Sequence, residues 1–357
     1  MNRYRIAVIP GDGIGKEVIQ EGVKVLQTTA QLNRGFEFNF ENFPWGSSYY
    51  LAHGQMMPSD GLNILRDFDA IYFGAVGSAD VPDHISLRGL RLAICQGFEQ
   101  YANLRPSRLL PGVESPLRLK GPKTIDFVVI RENTEGEYSG AGGRIHRGLA
   151  SETAVETTIF TRSGVERIIR FAYEVAKSKP RRLLSSVSKS NAQEHVFTLW
   201  DEIFVQIGQD YPDVQTERVL VDAMAARFVL HPESLDVVVA SNLFADILTD
   251  LGGAICGSLG VAPSGNLNPE RDYPSMFEPI HGSALDIFGR GIANPIGMVW
   301  SGAMMLEFLG EVPASEMILQ AIIQTTSEGK FMTPDLGGKA STEEVGDAIV
   351  ENLMKLA

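Results

Sequence analysis

Cysteine is nearly absent: the 357 residues include two, Cys95 and Cys256. They are too few and too far apart for a disulfide framework, which fits a reduced, cytoplasmic protein. No apolar run approaches the roughly 18 residues that a membrane span needs. The start, MNRYRIAVIPGDG, has no apolar signal-peptide segment. Positive charge is also short, with 31 Lys and Arg against 44 Asp and Glu and a net charge of −13. That field argues against nucleic acid and against an anionic membrane as partners. A small anionic substrate stays possible, because a few buried arginines reverse the local potential. No pair among the histidines has zinc-motif spacing, and no P-loop or G-x-S-x-G elbow occurs. Cys95 has no local partner that would make it a catalytic thiolate.

Short apolar strands alternate with amphipathic helices along most of the chain, the pattern of an α/β protein. Strands are expected at 5–9, 36–40, 69–74, 125–130, 183–188, 216–221 and 235–240. Helices are expected at 14–32, 162–178, 193–208, 222–230, 242–251, 301–309, 314–327 and 342–355. The stretch 132–160 differs: a glycine-rich turn and a β-branched run suggest an antiparallel arm reaching toward a second subunit. The polar tract 261–275 reads as a loop. Glycine, 36 residues or about 10% against the usual ~7%, clusters in ways that suit loops around ligands as well as turns.

Several residues carry chemistry, each with two readings open. Pro10-Gly-Asp-Gly-Ile-Gly15 follows a strand and opens a helix, but its glycine spacing is not the G-x-G-x-x-G dinucleotide fingerprint. It is either a backbone approach to a cofactor or a sharp turn. Arg88, Arg91, Arg105, Arg108, Arg118 and Arg131 crowd one stretch. The guanidinium forks of Arg105 and Arg131 match carboxylates bidentately, although each could equally be a surface ion pair. Asp246 and Asp250 are four apart on an expected helix and face one way. With Asp222 after its strand they could hold a hard divalent cation, or the pair could be a wet helix face. Lys189 follows a strand and Tyr138 lies in a glycine-rich loop. Taken singly, they read as a solvated lysine and a packed aromatic.

The strings PGDGIG (10–15), YANLRP (101–106), VIRENTEGEYS (129–139), SKSN (188–191), VDAM (221–224), SNLFADILTDL (241–251), FEPIHGSALDI (277–287) and GIANP (291–295) occur in order. Together they resemble the β-decarboxylating dehydrogenase family, which includes isopropylmalate, isocitrate, D-malate and tartrate dehydrogenases. RENTEGEYS, APSGNLNPERD and IANPIGMVWSGAMMLEFLG are most similar to its D-malate/tartrate branch. The resemblance implies a two-lobed α/β fold of the isopropylmalate dehydrogenase type, not a Rossmann fold. One lobe, 1–102 with 257–357, would bind the nucleotide. The other, 103–256, would carry the metal-site aspartates and the dimerisation arm. It further implies a homodimer with shared active sites and a 2-hydroxy dicarboxylate substrate. NAD and Mg²⁺ or Mn²⁺ would be the cofactors.

Residue by residue, the resemblance makes Asp246 and Asp250, with Asp222 from the neighbouring chain, the metal ligands. Arg105 and Arg131 would clamp carboxylates. Tyr138 would donate a proton to the enolate carbon, and Lys189 of the neighbour would be the base on the hydroxyl. His281, Gly282, Ser283, Ala284, Asp286 and Asn294 would hold the nucleotide, together with Asn191. Asp286 would accept from ribose hydroxyls, which favours NAD over NADP. The tract 78–87, including Ser86, would meet the variable end of the substrate. One departure stands out: Cys95 occupies the place of a family arginine. Either Arg91, one turn earlier, reaches the same anion, or the substrate lacks the group that arginine holds. The expected reaction is oxidation followed by loss of CO₂. Oxidation without decarboxylation of a tartrate-like acid is the alternative, and a non-catalytic binding or regulatory homologue is a second.

Overall fold

The computed structural model describes residues 1–119 and 124–357. Its strands, in chain order, are β1 (Asn2–Gly11), β2 (Phe36–Asn42), β3 (Ala70–Ala75), β4 (Ala102–Arg108), β5 (Asp126–Glu132), β6 (Gly142–Ile145), β7 (Thr153–Glu156), β8 (Leu183–Ser188), β9 (Gln215–Leu220), β10 (Val237–Ala240), β11 (Pro263–Leu267) and β12 (Ser275–Pro279). Among the described residues ten of these form one sheet, ordered β2-β1-β3-β12-β11-β4-β5-β10-β8-β9. Strands from both chain ends make one half, and strands from the middle make the other. Within each half neighbours run parallel. The halves join through β11 and β4, whose pairings are antiparallel, so the two parallel blocks run in opposite directions.

Local chemistry explains the covering helices. The helix Arg162–Ser178 starts where the Thr161 hydroxyl accepts from the Gly164 amide, satisfying one of the free N-terminal donors. Val165, Ile168, Ile169, Ala172 and Ala176 then recur at helical spacing and are fully buried. The helix Ile296–Leu309 is buried along most of its length. Its Ser301 Oγ donates to the Glu278 carbonyl at 2.9 Å, which fixes β12 beneath it.

The tract 261–275 is corrected by the structure. It contains β11, a fully buried strand, and leads into β12. Arg105 sits inside strand β4. The expected antiparallel arm is present as the β6–β7 hairpin, separate from the main sheet. Every residue of its two strands is exposed. No helix among the described residues is long and apolar enough to cross a membrane.

Candidate active site

Strand periodicity builds the site. Asn266, Asn103 and Arg131 stand in one cross-strand row of β11, β4 and β5. Glu278 pairs with Ser264, two residues along β11 from Asn266. Alternation by two puts Asn103, Arg105, Arg131, Ser264, Asn266 and Glu278 on a single sheet face. The helix Asn242–Ile255 lies over β4 and β5 and lowers Asp246 onto that face.

The two strand arginines meet on that aspartate. Arg105 Nη1 lies 3.2 Å from Asp246 Oδ1 and also donates to Thr249 Oγ1 at 2.7 Å. Its Nε donates to Asn103 Oδ1 at 2.6 Å. Arg131 Nη1 bonds the same Asp246 oxygen, while its Nε and Nη2 donate to Asn242 Oδ1 at 3.0 and 2.7 Å. The Tyr138 hydroxyl donates to the other Asp246 oxygen at 2.9 Å, and the Arg131 guanidinium lies 5.3 Å from the Tyr138 ring centre. Burial opposes ionisation of Asp246, but Arg131, then Arg105 and Arg91, hold its carboxyl well below the usual range. Burial, with Arg131 alongside, brings Arg105 down to about 10. Burial and then Asp246 raise Tyr138, so its phenol keeps its proton at neutral pH.

Arg91 joins from the opposite wall. It ends a π-helical turn, Leu87–Arg91, a rare geometry that gathers at functional sites. Its Nε donates to Glu278 Oε1 at 2.8 Å and its Nη2 lies 2.7 Å from the same oxygen. Arg91, Arg105, Arg131, Tyr138, Asp246, Glu278, His281 and Gly282 line one cavity of about 160 Å³. Cys95 does not line it; the thiol is fully buried beside Arg91 and Asn133. Ser86 is buried too, its hydroxyl donating to the Asp83 carbonyl at 3.1 Å, and it is outside the lining.

Asp250 lies one turn from Asp246 and is exposed. Partial desolvation of its carboxyl, and then the nearby Asp246, raise its pKa. Lys189 and Asp222 sit elsewhere, at the ends of β8 and β9. Their side chains pair at 2.6 Å, and that contact lowers the pKa of the exposed Asp222. Neither lines the cavity. Among the described residues no three His, Cys, Asp or Glu side chains gather closely enough to enclose a metal. One chain thus brings two of the three expected carboxylates together and keeps the third apart. Asn191 is exposed, two residues beyond Lys189.

The glycine loop packs against the chain's own backbone. Gly13 has φ +52°, and a Cβ there would fall 2.0 Å from the Ser283 carbonyl oxygen, so only glycine fits. Ile14 donates to that carbonyl at 2.9 Å, tying the loop to the segment His281–Ala284. Sequence reasoning missed Asp12, whose carboxylate accepts from Ser47 N, Ser47 Oγ and Gly77 N at 2.7–2.9 Å. His281 Nδ1 contacts the Gly282 carbonyl at 2.9 Å, and its buried Nε2 has no partner among the described residues. Burial lowers its pKa. Asp286 is exposed. Asn294 is largely committed: its Oδ1 accepts from Ile296 N, and its Nδ2 donates to Asp335. Also missed were Asn103, Asn242, Asn266 and Glu278, although all four lie in strings that had been singled out.

The family described as isocitrate/isopropylmalate dehydrogenase matches residues 5–349. A probable tartrate dehydrogenase/decarboxylase of Agrobacterium vitis is 55% identical, over 100% of this chain and 99% of that protein. D-malate dehydrogenase (decarboxylating) of Escherichia coli K12 is 52% identical, over 99% and 100%. The crystal structure of isocitrate dehydrogenase from Methylococcus capsulatus superposes with a TM-score of 0.88 at 32% identity, covering 98% of this chain and 99% of that one.

Proposed function

The chain belongs to the isocitrate/isopropylmalate dehydrogenase family, and from that premise we propose that it oxidises and decarboxylates a D-malate- or tartrate-like 2-hydroxy dicarboxylate. The products are a 2-keto acid, CO₂ and NADH. The observation that carries this reading is the convergence of Arg105, Arg131 and Tyr138 on Asp246 at the wall of a small cavity. Its volume is below the roughly 300–1,000 Å³ of sites for drug-sized ligands and suits a four-carbon diacid.

The donor set fits a hard divalent cation: Asp246 and Asp250 present oxygens one turn apart, and Asp250 carries a raised pKa that a cation would relieve. We assign Mg²⁺ or Mn²⁺ to this pair, completed by Asp222 of a second copy of the chain. The segment His281–Ala284 fits a nucleotide, because His281 Nε2 is a buried group without a partner among the described residues. Exposed Asp286 beside it can accept from ribose hydroxyls. Bound NAD⁺ supplies the hydride acceptor, and the divalent ion supplies the charge that acidifies the substrate hydroxyl and polarises the ketone.

The protein's own groups do the rest. Arg105 and Arg131, with Arg91 facing them, hold the two carboxylates by charge-assisted forks. Lys189 of the second copy takes the hydroxyl proton, and Asn191 arrives with it on the nucleotide side. Tyr138 delivers a proton to the carbon that loses CO₂. Exposed apolar surface supports the second copy. Ile145, Leu149 and Val155 on the arm, with Leu230 at the far end of the helix that carries Asp222 in its first turn and Ile247 next to Asp246, are each more than half exposed. A lone two-stranded hairpin is marginal in water, and such apolar surface marks an interface. The two lobes are assigned to 1–102 with 257–357 and to 103–256, meeting where β11 pairs with β4.

The test offers D-malate, the tartrates, isocitrate and 3-isopropylmalate with NAD⁺ and Mn²⁺, following NADH and CO₂ together. Equal yields of both from a four-carbon diacid are expected. NADH without CO₂ would replace the reaction by simple oxidation, and no NADH from any acid would remove the enzymatic reading.

A further inference from the structure

The helix Glu194–Gly208 buries a stripe of Phe197, Trp200, Phe204 and Ile207 at helical spacing. Asp201 sits within that stripe, four residues from Phe197, and is only 8% exposed. A carboxylate among aromatic side chains costs stability unless something donates to it. Its donor is the Ser190 hydroxyl, 2.9 Å from Oδ2. Oδ1 accepts from nothing among the described residues, and the half-exposed Arg218 guanidinium stays 3.7 Å from Oδ2. The adjacent Trp200 Nε1 donates to Ser186 Oγ at 2.9 Å, both residues being fully buried.

Two consecutive helix residues thus grip the chain at Ser186 and at Ser190, on either side of Lys189. Just beyond, the Ala192 and Gln193 amides donate to the Lys189 carbonyl, each at 2.9 Å, closing the turn that leads into the same helix. A lysine stem is flexible, so its reach is set by how firmly its backbone is held. Asp222, at 2.6 Å from Nζ, holds the tip of this side chain, and Asp201 holds its root. Resting on the proposed function, we propose that Asp201 is a positioning residue for the base. Acting through Ser190, it sets where Lys189 stands in the second copy's site and governs turnover rather than substrate affinity. A misplacement of about 1 Å can cost roughly 10²-fold in rate. Asp201 itself does not line the substrate cavity.

The experiment measures kcat and KM separately, for NAD⁺ and for the diacid that yields most NADH, in Asp201→Ala, Asp201→Asn and Ser190→Ala. The two alanine variants remove the contact from opposite sides, and each should lower kcat about tenfold or more. Both KM values should stay within about threefold of wild type. Asparagine keeps an oxygen for Ser190, so Asp201→Asn should recover most of the loss. Mixing then assigns the defect to one half of the site. Refolded with Asp246→Asn, Asp201→Ala should regain about a quarter of wild-type turnover. Refolded with Lys189→Met, it should show no more than it shows alone. If Asp201→Ala fails to fold, Ser190→Ala, at a partly exposed position, carries both tests.

An unchanged kcat in the alanine variants overturns the proposal. So does a loss confined to KM, an asparagine variant no better than alanine, or recovery with Lys189→Met. A wild type that forms no NADH, or failure of Asp246→Asn and Lys189→Met to complement each other, overturns the underlying reading and this inference with it. That result is seen without any change at Asp201 or Ser190.

Discussion

Lys189 Nζ lies 2.6 Å from Asp222 Oδ1, and this pair stands outside the cavity in which Asp246 meets Arg105 and Arg131. Lys189 and Asp222 stay outside that cavity, and no lysine among the described residues lines it. Under the proposed function, a symmetric pairing of chains brings that pair and the cavity together twice, once in each site.

Arg131 depends on Asn242. Its guanidinium is 2% exposed and gives two of its donors to Asn242 Oδ1. Asn242→Ala leaves those donors buried and unpaired, at a cost of about 1–3 kcal/mol. Urea denaturation should show that loss with little change in slope. A variant as stable as wild type would mean that water replaces the amide.

His281 makes stability depend on pH. Burial depresses its pKa, and the nearby Gly282 carbonyl, Asp335 and Glu278 offset this only in part. In the unfolded chain the imidazole takes a proton near pH 6.5, whereas in the fold it does so only at lower pH. The unfolded state therefore binds more protons in that window, and this contribution to stability is lost as pH falls from about 6.5 through the folded value. Wild type should lose its stability relative to His281→Asn on going from pH 7.5 to 5 in urea titrations. A difference independent of pH contradicts the buried neutral imidazole.

The secondary structure was legible where one local pattern dominated. The helix Arg162–Ser178 was readable because an apolar stripe of helical period runs along it, while its Thr161 cap emerges only in the structure. β11 was not, because Pro-Ser-Gly-Asn-Leu has poor strand propensity. Its neighbours bury it on both sides, and its polar residues serve the layer under the arginines. Asp246, Arg105, Arg131 and Tyr138 could be named from motifs, but their common meeting point could not. Glu278 bonds a residue 187 positions away, and the Asn266–Asn103–Arg131 row exists only through strand register. Asp12 was hidden inside a loop read for its glycines alone.

Both thiols should be inert in the folded protein. Burial pushes Cys95 up to about 11 and Cys256 up to about 12, and the thiolate is the reactive form. A disulfide-exchange reagent at pH 8 should label neither within an hour and both within minutes in denaturant. Rapid native labelling at Cys95 would show that the floor beneath Arg91 opens.

The central claim is that each active site is completed across two chains, and mixing two inactive variants tests it most directly. Asp246→Asn removes the acceptor between Arg105 and Arg131, and Lys189→Met removes the base, so each should be inactive alone. After unfolding and refolding together in equal amounts, half of the dimers are mixed, and each mixed dimer has one intact site of two. About a quarter of wild-type turnover should then return. Recovery of that size is the predicted result. No recovery, with mixed dimers shown to form, would place Lys189 and Asp246 in the same chain's site and contradict the account.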